Sequence, residues 1–168
     1  LSELRNGLTS AKKILDLGNI DDAIVEYEKL TITFPQSAMV YYKLGRTYRI
    51  YEDYDNAVKN YNKAAELNLF EHKYKKAVRI ISNDMIEKGD TEYRIKEFDT
   101  AMRYYNKALM YAAHYAPTYF KVANVHLKLR NLDGAIESLQ MGLHYDSSYA
   151  KIHLMLGKLY KKIDNIIL

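Results

Sequence analysis

The chain has 168 residues, 48% of them hydrophobic and 27% charged, a profile that suits one domain with a continuous core. A net charge of +4 falls short of the dense basic stripe of a dedicated nucleic-acid binder. The absence of cysteine excludes a disulfide framework, a thiolate nucleophile and Cys-ligated zinc. No apolar run approaches the roughly 18 residues of a membrane span, so no membrane insertion is expected. This composition suits a cytoplasmic location without excluding a periplasmic or secreted one. The start, Leu1-Ser2-Glu3-Leu4-Arg5, is neither a signal peptide nor an initiator Met and reads as the cut edge of a longer protein.

Four alanines, Ala23, Ala57, Ala101 and Ala135, recur at steps of 34, 44 and 34 residues. A bulky side chain follows each four residues later: Tyr27, Tyr61, Tyr105 and Leu139. Twelve residues before each lies a small one, Ala11, Gly45, Gly89 and Ala123, and Gly157 continues that series. In chain order, a first repeat over about 4–37 carries Ala11, Ile14, Gly18, Ala23, Tyr27 and Pro35. It departs from the pattern at Gly7 and Ser10, where a large apolar residue is usual. The second, 38–71, is the clearest. Tyr41-x2-Leu44-Gly45-x2-Tyr48 makes one helical face, Glu52-Asp53 a turn, and Tyr54-x2-Ala57-x3-Tyr61-x2-Ala64 a second face. In the third, 72–115, the ten extra residues of the long step lie near 69–82. They predict one extended first helix, about 72–95; the alternative is a helix that ends at Gly89. A fourth repeat, 116–149, places Pro117 in the first turn of a helix, and a partial fifth, 150–168, begins with His153, Leu156, Gly157 and Tyr160.

This pattern resembles the tetratricopeptide repeat, with Tyr standing in for its Trp and Phe. The resemblance implies an all-α fold: a right-handed α-solenoid of antiparallel helix pairs, with about four and a half repeats. Small Gly45 and Ala57 would let the helices of one pair approach, while Tyr48, Tyr54 and Tyr61 fill the space between pairs. It also implies a protein-binding scaffold or adaptor whose first helices line a concave groove for a peptide of another protein.

Tyr42, Arg46 and Arg49 fall on the groove side of the second repeat. Counting by the repeat adds Lys12; Ile86, Asp90 and Tyr93; Phe120 and Asn124; and Lys158, with Arg94 and Lys128 in the next row. Aromatic and aliphatic residues at one end of each helix and basic ones at the other point to an acidic or C-terminal peptide with apolar anchors. Arg46 and Arg49 would bind its carboxylates, Tyr42 and Phe120 its side chains, and Asn124 its backbone. The alternative is that these are solvated surface charges. One subclass of the family clamps chaperone tails with a Lys, Asn, Asn, Lys and Arg set; the matching positions here, among them Leu8, Lys12 and Lys43, do not reproduce it.

No residue set has metal-ligand spacing or the context of a catalytic nucleophile. No cofactor, metal or small-molecule substrate is expected, and His126 and His153 read as packing residues. Carboxylate pairs such as Asp21-Asp22 and Glu52-Asp53 read as caps of the following helices. RNA binding of the pentatricopeptide kind is the rival, opposed by a step of 34 and a mixed series at the groove positions. A regulatory arm of an enzyme lying elsewhere is a third reading. Tyr74, Val78, Ile81 and Met85 on the long helix offer either a second partner surface or packing for neighbouring helices. Ile163, Ile166, Ile167 and Leu168 predict fraying or self-association at the C-terminal end.

Overall fold

The computed structural model describes residues 2–167, with side chains through residue 163. Among the described residues there are nine helices and no strand: α1 (Ser2–Asp16), α2 (Ile20–Thr33), α3 (Ala38–Ile50), α4 (Tyr54–Leu67), α5 (His72–Arg94), α6 (Phe98–Tyr111), α7 (Ala116–Lys128), α8 (Leu132–Tyr145) and α9 (Ala150–Ile167). The fold is an all-α solenoid of helix pairs, and two compact units divide it, Leu1–Ile81 and Ser82–Leu168.

The turn inside each pair follows one recipe. The residue five before each beat alanine has a left-handed backbone: Gly18 (φ 85), Glu52 (φ 62), Lys96 (φ 68) and Arg130 (φ 59). That bend lets the next N–H reach back to a carbonyl of the finished helix. Asn19 bonds Ile14 at 3.3 Å, Asp53 bonds Tyr48 at 3.0 Å, Glu97 bonds Glu92 at 3.0 Å and Asn131 bonds His126 at 2.9 Å. These are Schellman closures, which satisfy carbonyls otherwise left open at a helix end. Two of the four cap residues also cap the next helix with their side chains, Asp53 accepting from Asn56 N–H and Asn131 from Gly134 N–H. Of the two carboxylate pairs, then, Asp53 caps and Glu52 supplies the bend, while Asp21 and Asp22 lie in the first turn of α2.

The small residues are sized by their partners. A Cβ on Gly45 would lie 2.8 Å from the Tyr61 ring, and one on Gly89 would lie 2.6 Å from the Tyr105 ring. Each ring therefore sits sixteen residues after its glycine and within the same pair. Tyr61 fills space inside its own pair, where the sequence alone placed it between pairs. Leu30 occupies the volume that a side chain on Gly7 would need, which accounts for the departure there. All four beat alanines are fully buried. Tyr27 reaches further, joining Ala11 and Ile24 to Leu44 of the following pair. In the second unit Leu139 and Ile152 share a cluster with Ala123, Ala135, Leu156 and Leu159.

Helix α5 runs unbroken through Gly89, as the extended-helix reading requires. Tyr74, Val78, Ile81 and Met85 are all buried, so that face packs the protein's own interior and offers no second partner surface. At the C-terminal end Ile163 is half-buried; the side chains of Ile166 and Ile167, and all of Leu168, lie outside the described residues.

Candidate functional site

In residues 1–81, three first helices place cations around one point. Lys12 of α1 is exposed and pairs with Asp16 one turn on, at 3.1 Å. Lys43 of α3 is half-buried and lines a cleft of about 320 Å³ together with Leu4, Arg5, Leu8, Thr9 and Lys12. Burial holds its ammonium below the usual lysine range, and the charges of Arg46, Lys12 and Lys73 lower it further. A partly desolvated base close to like charges holds its own proton less tightly. No carboxylate among the described residues pairs with Lys43 or Arg46.

The aromatic part of this face is Tyr42. Its ring is half-buried, 5.7 Å from Tyr61 and 5.2 Å from Tyr74. Lys73 stands 5.8 Å from the Tyr42 centroid and 5.1 Å from that of Tyr74, and is itself held by Glu71 at 3.1 Å. Arg46 is exposed and Arg49 half-buried on the same helix. Lys43 and Lys73 were not among the residues singled out as the site. Lys43 lies 31 residues after Lys12, one repeat less one helical turn, and that offset is the signal that would have found it.

In residues 82–168 the same positions look different. Asp90 of α5 accepts the Tyr105 hydroxyl at 2.6 Å and the Lys121 ammonium at 2.7 and 2.8 Å. Burial first, then the bond to Asp90 and its charge, push the Tyr105 hydroxyl far above its ordinary range, so it stays a neutral donor. Beside this network lies a cleft of about 390 Å³ lined by Asp90, Tyr93, Tyr105, Pro117, Phe120, Lys121, Asn124, Tyr149 and Lys151. Phe120 and Tyr149 meet edge to face at 6.3 Å, and Tyr93 is braced by Phe98 at 5.4 Å.

The remaining expected site residues are spread about this unit. Asn124 donates to the Phe120 carbonyl of its own helix at 2.9 Å, leaving its side-chain oxygen as the group able to bind a backbone. Arg94 turns back on its own helix, bonding the Asp90 carbonyl and the Thr91 hydroxyl. Lys128 and Lys158 are exposed. Ile86, counted onto the groove side by the repeat, is buried instead.

His126 contacts the Asn131 side chain and sits where a Cβ on Gly134 would fall. His153, by contrast, is exposed and bonds the Ser147 carbonyl at 2.7 Å, so it braces the α8–α9 loop rather than packing the interior. No group of His, Asp or Glu among the described residues is arranged to hold a metal ion. No helix among them is long and apolar enough to cross a membrane.

A tetratricopeptide repeat profile matches residues 38–70, the second repeat. The uncharacterised protein ycf37 of Guillardia theta is 30% identical over 125 residues, spanning 72% of this chain and 67% of that protein. Among solved structures, residues 41 to the end of MamA from Desulfovibrio magneticus RS-1 are 18% identical, covering 98% of this chain and 87% of that one with a TM-score of 0.43. The first TPR of Spaghetti (RPAP3), bound to an HSP90 peptide, is 19% identical and covers 77% of this chain and 94% of its own, with a TM-score of 0.45. With its small-residue beat, its repeated turn, the matched second repeat and the ycf37 relative, the chain belongs to the tetratricopeptide repeat family.

Proposed function

We propose that the protein is a non-enzymatic interaction module whose first unit binds an acidic peptide segment of a protein partner, helping to assemble a larger complex. The observation that carries this reading is the setting of Lys43, half-buried among Arg46, Lys12 and Lys73 with no carboxylate to pair with it. A ligand carboxylate at that point relieves the repulsion and gains charge-assisted hydrogen bonds. Leu4 and Leu8 beside Lys12 and Lys43, and the Tyr42 ring beyond, offer apolar contact to the same peptide. Such a combination gives affinity through a few anchors and selects against basic segments.

The experiment is calorimetric titration of the 168-residue protein with an extended peptide bearing four glutamates and one leucine, and with its all-glutamine counterpart. Binding of the acidic peptide that weakens with salt, and falls at least tenfold in a Lys43→Glu, Arg46→Glu variant, supports the reading. Equal affinity for both peptides, an unaffected double variant, or stronger binding to single-stranded RNA rejects it.

A further inference from the structure

Four turns join one helix pair to the next, and one of them is unlike the rest. After the C-caps of α2, α4, α6 and α8 come Pro35-Gln36, Leu69-Phe70, Ala113-His114 and Ser147-Ser148. Only the α4–α5 turn places two large apolar side chains there, so the repeat itself does not call for them. Leu69 is 66% exposed and Phe70 93%, the greatest exposure of any large hydrophobic residue described. The turn that displays them is closed: the Glu71 N–H bonds the Asn68 carbonyl at 3.3 Å, and the Tyr74 N–H bonds that of Glu71 at 3.3 Å. Two side chains held in water in this way forgo the burial that stabilises their counterparts in the core.

The start of α5 continues from this tip with one sign of charge. No acidic residue occurs from His72 to Asn83. Tyr74, Ala77, Val78 and Ile81 are buried on the inner face of the helix, which leaves Lys75, Lys76, Arg79 and Ile80 exposed on the outer one. None of these three cations has an acidic partner among the described residues. The carboxylates that precede them, Glu66 and Glu71, are held by Lys63 at 3.2 Å and Lys73 at 3.1 Å. An acidic protein surface could meet the cations, but it would need a pocket of its own for Phe70. A bilayer interface supplies anions and an apolar layer together, and it yields to a protruding tip. We propose that this corner docks on an anionic lipid membrane, with Leu69 and Phe70 entering the boundary between headgroups and acyl chains. Lys75, Lys76 and Arg79 then meet the charged headgroups, each adding about fivefold to the affinity. The charged outer face keeps α5 at headgroup level, so the contact is with one leaflet and no helix crosses it. Lys12, Lys43, Arg46 and Lys73 take no part, so this inference and the peptide reading stand or fall separately.

The test uses the 168-residue protein and vesicles of phosphatidylcholine with about 30% phosphatidylserine, beside vesicles of phosphatidylcholine alone. The chain has no tryptophan, so Phe70→Trp supplies a single reporter at the tip. Sedimentation with the anionic vesicles, lost at high salt, and a blue shift of the reporter are expected. Leu69→Ser with Phe70→Ser should lower vesicle affinity about tenfold, and Lys75→Gln, Lys76→Gln, Arg79→Gln together about a hundredfold, with the thermal transition unchanged. Lys13→Gln, Arg103→Gln, Arg130→Gln removes the same charge from other exposed positions and should cost less than about threefold if the corner is the docking point. No sedimentation with anionic vesicles, an unshifted reporter, or equal losses in the two triple variants would overturn the proposal. A corner that binds polyglutamate while leaving the vesicles unbound would also overturn it, and would assign the corner to an acidic protein.

Discussion

Residues 12 and 43 stand in the same repeat relation as residues 90 and 121, one repeat less one helical turn apart, yet the two pairs do opposite things. In the second unit that relation brings the Lys121 ammonium to 2.7 Å from the Asp90 carboxylate, and Tyr105 completes the set. In the first unit it sets two lysines against each other, with Arg46 and Lys73 adding to the repulsion. The helix-pair core beneath is common to both: Gly45 lies under Tyr61 as Gly89 lies under Tyr105. A single exchange of sign on a shared scaffold therefore separates a face whose charges satisfy one another from one whose cations repel, the face proposed above to take an acidic peptide.

The shared core can be tested first, because its expected effect is the largest. Gly45→Val and Gly89→Val each drive branched carbons into a ring that already leaves no room for a Cβ, and each should cost about 2–3 kcal/mol by urea denaturation. Equal losses in the two units would confirm that their packing is the same and only their surfaces differ. The closed face comes next. Asp90→Ala strips the Tyr105 hydroxyl and Lys121 of their acceptor, at an expected cost of about 1–2 kcal/mol since the pair is part-exposed.

The open face can be closed on purpose. Lys12→Asp gives the first unit the carboxylate that the second has at residue 90. It should lower affinity for the acidic peptide by about tenfold, or about 1.4 kcal/mol, with thermal stability little changed, because a new pair with Lys43 offsets the lost Lys12–Asp16 pair. The smallest effect belongs to the turn. Lys96 is exposed at a left-handed φ of 68, so Lys96→Gly should gain about 0.5 kcal/mol as relief of backbone strain outweighs the added freedom of the unfolded chain.

Much of this architecture was legible in the sequence because it is written in local spacing. The beat alanines, the glycines twelve residues earlier and the rings sixteen residues after the glycines all report contacts within one pair, and such contacts keep a fixed offset. The long α5 followed from an insertion without a helix breaker. Sites were less legible because they form across neighbouring first helices. Counting along one helix selected Arg46 and Lys12 but passed over Lys43, whose lowered proton affinity comes from burial and from three cations on other turns and helices. It also put Ile86 on the groove side, whereas that side chain is buried. Asp90 gave no hint from position alone that Lys121 and Tyr105 would saturate it.

The proton affinity of Lys43 tests the central claim most directly. Its folded value lies below the ordinary 10.5, so folding disfavours the charged form. That penalty is present at neutral pH and is relieved as pH rises through the folded value towards 10.5. Titration of the Lys43 side chain by ¹⁵N- or ¹³C-detected NMR should find it depressed in the free protein, raised by Arg46→Ala, and raised again by saturating acidic peptide. A Lys43 that titrates at or above 10.5 in the free protein, and does not respond to the peptide, would contradict an unfilled anion site in the first unit.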